Sequence, residues 1–269
     1  MELYGWTRTR LLDRIREDGS TVLLAFSRGK DSLASWHVLR AAGFTVVPIY
    51  MDLCPGLTFV EDSLRYYEDF FQTPITRVLH PNFFHWIKTW GFQPPIRIKA
   101  VLDAERDGLL PRRSYQKINQ QIAVDHGLPA STWVAVGTRI TDSARRATVF
   151  KKYGPLSYHQ RSFSPIFDTN KAQLIQILQQ GRVKLPIDYQ LFGRSFDGVD
   201  WKFLRPLAQH RPADFARVLY WFPLAYLELL RGDMAHARQN ATQTPHPLGA
   251  PRRAHRPAPL HALAASGHA

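Results

Sequence analysis

The chain has 269 residues, a length that suits one sizeable α/β domain with an appendage or two small domains. Hydrophobic residues make up 45% of the chain and aromatic residues 12%, which predicts a packed core and excludes a wholly disordered chain. No apolar run approaches the ~20 residues of a transmembrane helix, and the first residues lack a signal-peptide pattern. We therefore expect a cytoplasmic protein with no membrane partner.

The charge balance favours a phosphate-rich partner. Lysine and arginine total 35 against 22 acidic residues, a formal net charge of +13. This excess is typical of proteins that bind a nucleotide or a nucleic acid, and it leaves the choice between the two open. Cys54 is the only cysteine. One cysteine forms no intrachain disulfide and cannot by itself hold a zinc ion or an iron–sulfur cluster.

The predicted elements alternate between helices and strands, and the early strand–helix–strand order is a βαβ unit, which predicts a parallel sheet. From about residue 233 the chain turns to Ala, Pro, His and Arg without periodicity, which predicts a disordered tail. In chain order, the predicted elements are a helix over 7–17, a strand over 21–26, a helix over 32–42, a strand over 44–51, a helix over 61–72, a strand over 75–79, loops and short helices over 82–115, a helix over 114–127, a strand over 132–136, a hairpin or loop up to 166, and helices over 171–180 and 212–231.

A polar loop between the first predicted strand and its helix is the main functional signal. Backbone N–H groups of such a loop and the N-terminus of the following helix attract an anion. Gly29 lets the backbone approach a phosphate without an intervening Cβ, and Lys30 adds a positive charge. Asp31 caps the helix, orders the loop or helps to hold a metal, and the residues leave these roles open. The loop reads Phe26-Ser27-Arg28-Gly29-Lys30-Asp31-Ser32, and its two serines supply hydroxyl donors.

A second polar segment follows the strand predicted over 132–136. Arg139 and Arg146 carry forked guanidinium groups that can bind phosphate or sulfate bidentately, and Ser143 adds a hydroxyl. Ligands of open α/β sheets lie outside the carboxyl ends of the strands, where the first loop also lies. We therefore expect the segment 137–146 and the first loop to share one anion site.

Both segments resemble motifs of known families. Residues 27–32 resemble the pyrophosphatase loop (PP-loop), Ser-Gly-Gly-x-Asp-Ser, of the adenine nucleotide alpha hydrolase families, with Arg28 where glycine is usual. That arginine either adds a phosphate contact or crowds the loop. Residues 137–146 resemble the Gly-x-Arg-x-x-x-Ser-x-x-Arg segment of phosphoadenosine phosphosulfate (PAPS) reductase-like proteins. Weaker matches at 51–54, 164–168 and 185–195 extend the resemblance over residues 20–205.

The resemblance implies an α/β, adenine nucleotide alpha hydrolase-like fold with a central, mostly parallel five-stranded sheet and helices on both faces. It implies a PP-loop domain over 1–205, which we expect to be followed by a helical C-terminal extension over 206–232 and a disordered basic tail over 233–269. The implied cofactors are ATP or a PAPS-like adenine nucleotide with Mg²⁺, and relatives of this kind are often homodimers. An iron–sulfur cluster is not expected.

The resemblance also carries roles onto individual residues. Lys30, Asp31, Arg139 and Arg146 are expected to act in catalysis, and Asp31 and Asp52 to hold Mg²⁺. The residues expected to bind the nucleotide or its phosphates are Ser27, Arg28, Gly29, Lys30, Asp31, Ser32, Asp52, Gly137, Arg139, Ser143 and Arg146.

The resemblance fails at the catalytic cysteine of thiol-dependent reductases, because the matching segment 193–201 contains none. The chemistry that remains is cleavage of ATP between its α- and β-phosphates, for sulfur-related or adenylyl-transfer reactions. One alternative is a non-catalytic nucleotide- or nucleic-acid-binding module, and another is a reductase that uses Cys54 or an outside thiol. The aromatic residues that either stack nucleic-acid bases or belong to the core are Phe83, Phe84, Trp86 and Trp90.

Overall fold

One six-stranded sheet lies at the centre of the structure, a computed structural model that describes residues 4–109 and 114–243. Its strands are β1 Thr21–Ala25, β2 Thr45–Asp52, β3 Thr76–Leu79, β4 Val134–Val136, β5 Leu156–Ser157 and β6 Ser162–Phe163. They lie in the order β3-β2-β1-β4-β6-β5, and among these strands only the β5–β6 pair is antiparallel. The expected mostly parallel sheet is confirmed, with six strands instead of five because the short β5–β6 hairpin contributes two.

Helices connect the strands and continue beyond the sheet. Helix α5 forms where loops and short helices were predicted, and the helix predicted over 212–231 is divided at residues 222–224. Pro223 accounts for the division, since proline disfavours helical geometry in the residue before it and lacks an N–H. The helices are α1 Arg8–Glu17, α2 Lys30–Ala41, α3 Thr58–Phe71, α4 Pro81–Trp86, α5 Pro95–Arg106, α6 Tyr115–Asp125, α7 Ala144–Tyr153, α8 Lys171–Gln180, α9 Asp188–Phe192, α10 Trp201–His210, α11 Pro212–Trp221 and α12 Ala225–Gln243.

Side chains of the central strand β1 are buried on both faces of the sheet. Val22 and Leu24 of β1 belong to the large core cluster that includes residues of α1, α2 and α3. Leu23 points the other way and packs with Ile118 and Ile122 of α6. Successive side chains of a strand face opposite sides, so an unbroken apolar strand needs helices on both faces. The expected helical layers on both faces are confirmed.

The chain reverses its direction of winding beside β1. Ala25 at the end of β1 pairs with Ile49 of β2 on one side and with Val136 of β4 on the other. From β1 the chain winds outward through β2 and β3, and it then returns to β4 on the opposite side of β1. A crevice opens at such a switch point outside the carboxyl ends of the strands, and it is where open α/β sheets bind ligands.

The C-terminal helix extends further than the sequence predicts. Helix α12 continues to Gln243, so the prediction of a disordered tail is wrong for residues 233–243. Trp201 of α10 explains the extension, since its indole N–H donates to Asp233 at 2.8 Å and its ring stacks on His236 at 3.9 Å. Residues 244–269 of the predicted tail lie outside the described residues, and the division of the chain at residues 205 and 232 stays a prediction. Within the described part of the chain, none of the helices is both long enough and apolar enough to cross a membrane.

Candidate functional site: two loops at the switch point

Helix α2 begins inside the loop that follows β1. Gly29 is its N-cap, in extended geometry at φ −77° and ψ 161°, and Lys30, Asp31 and Ser32 form the first turn. The N–H groups of a first helical turn have no partner within the helix, so this turn offers donors to an anion. The Ser32 hydroxyl donates to the Gly29 carbonyl at 2.8 Å, and Ser27 is exposed beside it.

Arg28 is buried beneath this loop. Its backbone has a φ of +63° and its guanidinium is fully buried, donating to both carboxylate oxygens of Asp188 at 3.0 and 2.9 Å and to Ser63 at 2.8 Å. Asp188 is equally buried and also accepts the backbone N–H of Phe196 at 2.8 Å. A guanidinium held in this way does not reach a ligand above the loop. The side chain expected either to add a phosphate contact or to crowd the loop is instead directed into the core, where Asp188 neutralises it.

A second stretch of chain, residues 188–197, packs against this loop, although it lies about 160 residues further along the sequence. The hydroxyl of Tyr189 accepts the backbone N–H of Lys30 at 3.0 Å. A Cβ on Gly29 would lie 3.1 Å from the Ser195 hydroxyl, so glycine lets this segment approach the loop closely. Sequence patterns give Tyr189 and Ser195 only a weak resemblance and no role, because their contacts with the loop join residues about 160 positions apart.

The loop after β4 meets the start of α2 through backbone contact. A Cβ at Gly137 would lie 2.8 Å from the carbonyl carbon of Asp31 and 3.0 Å from the backbone nitrogen of Ser32. Real Cβ atoms do not approach backbone this closely, so the position requires glycine. Gly137 thus sets the spacing between the two sequence-predicted loops, and the structure brings them together as expected.

Arg139 and Lys30 are held in a chain of ion pairs. The Nε of Arg139 lies 2.9 Å from one carboxylate oxygen of Asp31, and the Nζ of Lys30 lies 2.9 Å from the other. The Arg139 N–H does not point at its partner, so the contact is an ion pair without a hydrogen bond. Asp142 pairs with Arg139 at 2.9 Å and accepts its backbone N–H at 2.7 Å. These carboxylates offset much of the positive charge beside the loop.

Arg146 is the sequence-predicted cation that remains unpaired. Its backbone N–H donates at 3.2 Å to Ser143, whose hydroxyl caps α7, so the predicted ligand Ser143 has a structural role as well. The Arg146 side chain is exposed, has no hydrogen-bond or ion-pair partner among the described residues, and borders the same cavity as Ser27. It is therefore free to bind an anionic ligand.

A cavity of about 720 Å³ opens beside the two loops, on the α6 face of the sheet. Apolar side chains at the ends of the central strands line it together with polar groups of α6 and the loops, a combination that suits a planar base with a charged attachment. The lining includes Ala25, Phe26 and Ser27 after β1, Ile49, Tyr50 and Met51 of β2, Val136 of β4, Ser114, Tyr115, Gln116 and Asn119 of α6 and its cap, Arg146, His159 and Gln160.

His80 and Tyr115 face each other across the cavity rim, and the sequence analysis missed both. His80 Nδ1 accepts the backbone N–H of Asn82 at 3.0 Å, so the neutral ring carries its proton on Nε2, 3.1 Å from the Tyr115 hydroxyl. Burial lowers the pKa of His80 to about 4. The ring is thus neutral near pH 7, and its donor fixes the orientation of the tyrosine. The signal that could have found His80 is its position directly after β3, one residue beyond Leu79, which pairs with Asp52 at the end of β2.

The two carboxylates expected to bind Mg²⁺ both have other partners in this structure. Both oxygens of Asp31 are paired with Lys30 and Arg139. Asp52 accepts the backbone N–H of Cys54 at 2.9 Å, and burial, reinforced by the nearby Glu61, raises its pKa. Within residues 4–109 and 114–243, no three His, Cys, Asp or Glu side chains are grouped to hold a metal ion. Asp31 therefore does not fit a resident metal in this arrangement.

Two further expectations change with the structure. Cys54 is buried, and burial raises the pKa of its thiol, which removes the thiolate that a reductase needs. Phe83 is buried, and Phe84 and Trp86 pack against the same core, so these three aromatic side chains belong to the core. Trp90 is 68% exposed and is the one aromatic of this group that stays available for base stacking.

Comparisons with known proteins identify no family. No protein-family model matches the chain, and no curated protein matches it. Among solved structures, the chain is similar to an NH3-dependent NAD synthetase from Campylobacter jejuni, with 14% identity, a TM-score of 0.38, and coverage of 87% of this chain and 97% of that one. It is also similar to a predicted subunit of a tRNA methyltransferase from Methanocaldococcus jannaschii, with 14% identity, a TM-score of 0.34, and coverage of 72% and 91%. Likenesses this weak carry no functional argument.

Proposed function

We propose that this protein is a PP-loop enzyme that binds an adenine nucleotide at the switch point. The phosphates lie on the first turn of α2, and the base occupies the adjoining cavity. The observation that carries the proposal is the contact between the two anion-binding loops, where Gly137 touches the backbone of Asp31 and Ser32. Two loops with independent phosphate-binding patterns converge there on one crevice beside a cavity of nucleotide size.

The reaction that suits these residues is adenylyl transfer from ATP. A nucleophilic atom of the acceptor attacks the α-phosphorus, the bond from that phosphorus to the bridging oxygen breaks, and pyrophosphate leaves with the bond's electron pair. Such a step depends on positioning and on charge stabilisation more than on a protein nucleophile. The N–H groups of Asp31 and Ser32 in the first turn of α2 would hold the phosphates, since that of Lys30 donates to Tyr189, and Arg146 would stabilise the charge that develops on the phosphates.

Mg²⁺ belongs to this proposal as a companion of the nucleotide. It commonly reaches enzymes on phosphate oxygens and keeps several water ligands, so a dedicated protein cage is not required. Asp52 is the carboxylate left to assist it, since Asp31 is paired with cations on both oxygens. Bound there, the ion would supply neutralisation of phosphate charge.

Sulfonucleotide reduction by this chain alone is less well supported. The reductive step needs a thiolate that attacks sulfur, and Cys54 is buried with a raised pKa. Reduction would therefore require a thiol from another molecule. PAPS remains a candidate ligand, because its phosphate and sulfate groups suit the same donors.

The second candidate is a nucleotide-binding module without turnover. The observation in its favour is the pairing of Lys30 and Arg139 with carboxylates, which leaves less positive charge for a transition state. Release of pyrophosphate from ATP in the presence of acceptor candidates separates the two. Binding of ATP with no release under any acceptor would favour the module.

Calorimetric titration with ATP, AMP and PAPS, each with Mg²⁺, tests the shared part of both candidates. Arg146→Ala is expected to weaken the preferred nucleotide by about tenfold, or about 1.4 kcal/mol, since it removes an unpaired cation from the cavity rim. Arg145→Ala is the matched control, an exposed arginine one position away that does not line the cavity. Absence of binding to all three ligands by the unmodified protein would refute the nucleotide proposal.

A further inference from the structure

Helix α7 carries a concentration of unpaired positive charge beside the candidate site. Arg145, Arg146, Lys151 and Lys152 are all exposed, and none has an ion-pair partner among the residues that the structure describes. The chain contains no acidic residue between Asp142 and Asp168. The absence of acidic neighbours leaves this surface as an uncompensated basic patch.

The basic side chains of helix α5 offer a contrast, since they are compensated within the helix. Asp103 pairs there with both Lys99 and Arg106 at 2.6 and 3.1 Å. The helix dipole accounts for Lys151 and Lys152, which lie in the last turn of α7, but it does not account for the two arginines. Arg145 and Arg146 occupy its first turn, where the helix dipole disfavours cations, and no acidic residue offsets them. A positively charged first turn costs local stability, which favours a role in binding.

One face of α7 combines cations with an aromatic ring. With 3.6 residues per turn, Arg145, Val149 and Lys152 share a face, and Tyr153 borders it. Tyr153 is 64% exposed, and the Lys152 ammonium lies 4.8 Å from the centre of its ring. Phe150 anchors the opposite side of the helix in the core. Cations that alternate with exposed aromatic rings suit a nucleic-acid strand, whose phosphates pair with the former and whose bases stack on the latter.

This face is continuous with the candidate site. Arg146 belongs to α7 and also lines the cavity. The rim beyond it includes His159 and Gln116, which are joined by a hydrogen bond of 3.0 Å from the Gln116 amide to the His159 carbonyl. A nucleic-acid strand bound along α7 would therefore reach the edge of the cavity at Arg146.

We propose that α7 is a binding surface for single-stranded nucleic acid, and that this strand is the acceptor presented to the nucleotide site. The binding role stands on α7 alone, whereas the acceptor role rests on the proposed function. The exposed ring of Tyr153 favours a single strand over a duplex, because stacking needs unpaired bases. It also favours a nucleic acid over an acidic protein, which offers charge without a stacking partner.

The test is fluorescence anisotropy with a labelled single strand of about 20 nucleotides, in DNA and RNA forms, without ATP. The variant Arg145→Glu/Lys152→Glu is compared with the control Lys171→Glu/Lys184→Glu, which makes the same charge change at two other exposed lysines. We expect at least about tenfold weaker binding and a salt dependence smaller by about 1.4 in log–log slope for the α7 variant alone. Equal losses in both variants would overturn the proposal, since they would show a non-specific effect of net charge.

Two further measurements guard the interpretation. Arg145→Gln/Lys152→Gln removes the two charges without reversing them and so disturbs the helix less. It is also expected to weaken nucleic-acid binding, by a smaller factor. Tyr153→Ala is expected to weaken binding several-fold, whereas Tyr153→Phe retains it, because stacking needs the ring and not the hydroxyl. Equally tight binding of polyglutamate would overturn the nucleic-acid assignment. ATP titration of the same variants is expected to be unchanged, so failure of this inference and failure of the nucleotide site are distinguishable.

Discussion

Replacement of Asp188 by Asn would leave the buried positive charge of Arg28 without an ion-pair partner. Arg28 and Asp188 are both fully buried, and the carboxylate accepts two bonds from the guanidinium and one from a backbone N–H. The amide of Asn keeps the shape but removes the negative charge and points donors at donors. Loss of one partner of a buried pair costs about 3–5 kcal/mol, which corresponds to a melting temperature lower by roughly 6–20 °C.

Urea unfolding followed by tryptophan fluorescence measures this effect, since the chain has 7 tryptophans. Asp62→Asn is the matched control, because Asp62 forms an ion pair with Arg65 at 2.6 Å in which both side chains are more than half exposed. An exposed pair of this kind contributes about 0–1 kcal/mol. The expected result is therefore a large loss of stability for Asp188→Asn and a small one for the control.

A double variant tests whether the unpaired charge of Arg28 causes the loss of stability. Arg28→Gln/Asp188→Asn replaces the ion pair by two neutral amides of similar shape, so it is expected to be more stable than Asp188→Asn alone. A loss below about 1 kcal/mol for Asp188→Asn would refute the reasoning, since it would mean that the guanidinium reaches water or another anion. A double variant no more stable than the single one would assign the loss to packing.

Three further predictions concern the loops and the cavity rim. Gly137→Ala is expected to lower the free energy of unfolding by about 1–3 kcal/mol, since its Cβ would lie 2.8 Å from backbone. Gly91→Ala is the control in the same urea experiment, because a Cβ there would meet nothing closer than 3.8 Å. The pKa of His80 is about 4 in the folded protein and near 6.5 in the unfolded chain, so its contribution to stability is present above pH 6.5 and is lost as the pH falls towards 4. His80→Gln is expected to flatten the dependence of the urea midpoint on pH in this range. An unchanged dependence would contradict the assignment of a neutral His80 ring. Tyr189→Phe is expected to weaken ATP binding by about fivefold, because the hydroxyl accepts the Lys30 N–H and can donate its own hydrogen to a phosphate. Tyr66→Phe is the control, since it removes a hydroxyl that accepts a backbone N–H elsewhere. Tighter binding after Tyr189→Phe would mean that the hydroxyl competes with the ligand.

Local patterns predicted the four strands β1 to β4, and they left the region of β5 and β6 open as a hairpin or loop. Thr21–Ala25 is a continuous apolar strand, and the glycine-bearing loop after it correctly marks the start of a helix. Prediction failed where stability comes from distant contacts. Helix α5 buries little apart from Ile98, so its hydrophobic period is weak, although Pro95 at its start was a usable signal. The end of α12 depends on Trp201, which no local window contains.

The candidate site divides in the same way. The loops of residues 27–32 and 137–146 were found because their residues are adjacent in sequence, and the sheet order brings them together. The direction in which Arg28 points could not be read, because its partner Asp188 is 160 residues away. The same distance hid Tyr189. Which of the predicted residues bind a ligand stays a prediction for the titrations above.

The separation between Arg28 and Asp188 also has a consequence for synthesis on the ribosome. The loop emerges early, but the carboxylate that neutralises its buried arginine follows 160 residues later. At about 5–20 residues per second, the nascent chain carries an unpaired Arg28 for roughly 8–32 seconds. We therefore expect the loop to acquire its final shape only when most of the chain has been made, so that truncated translation products would not yet hold a nucleotide.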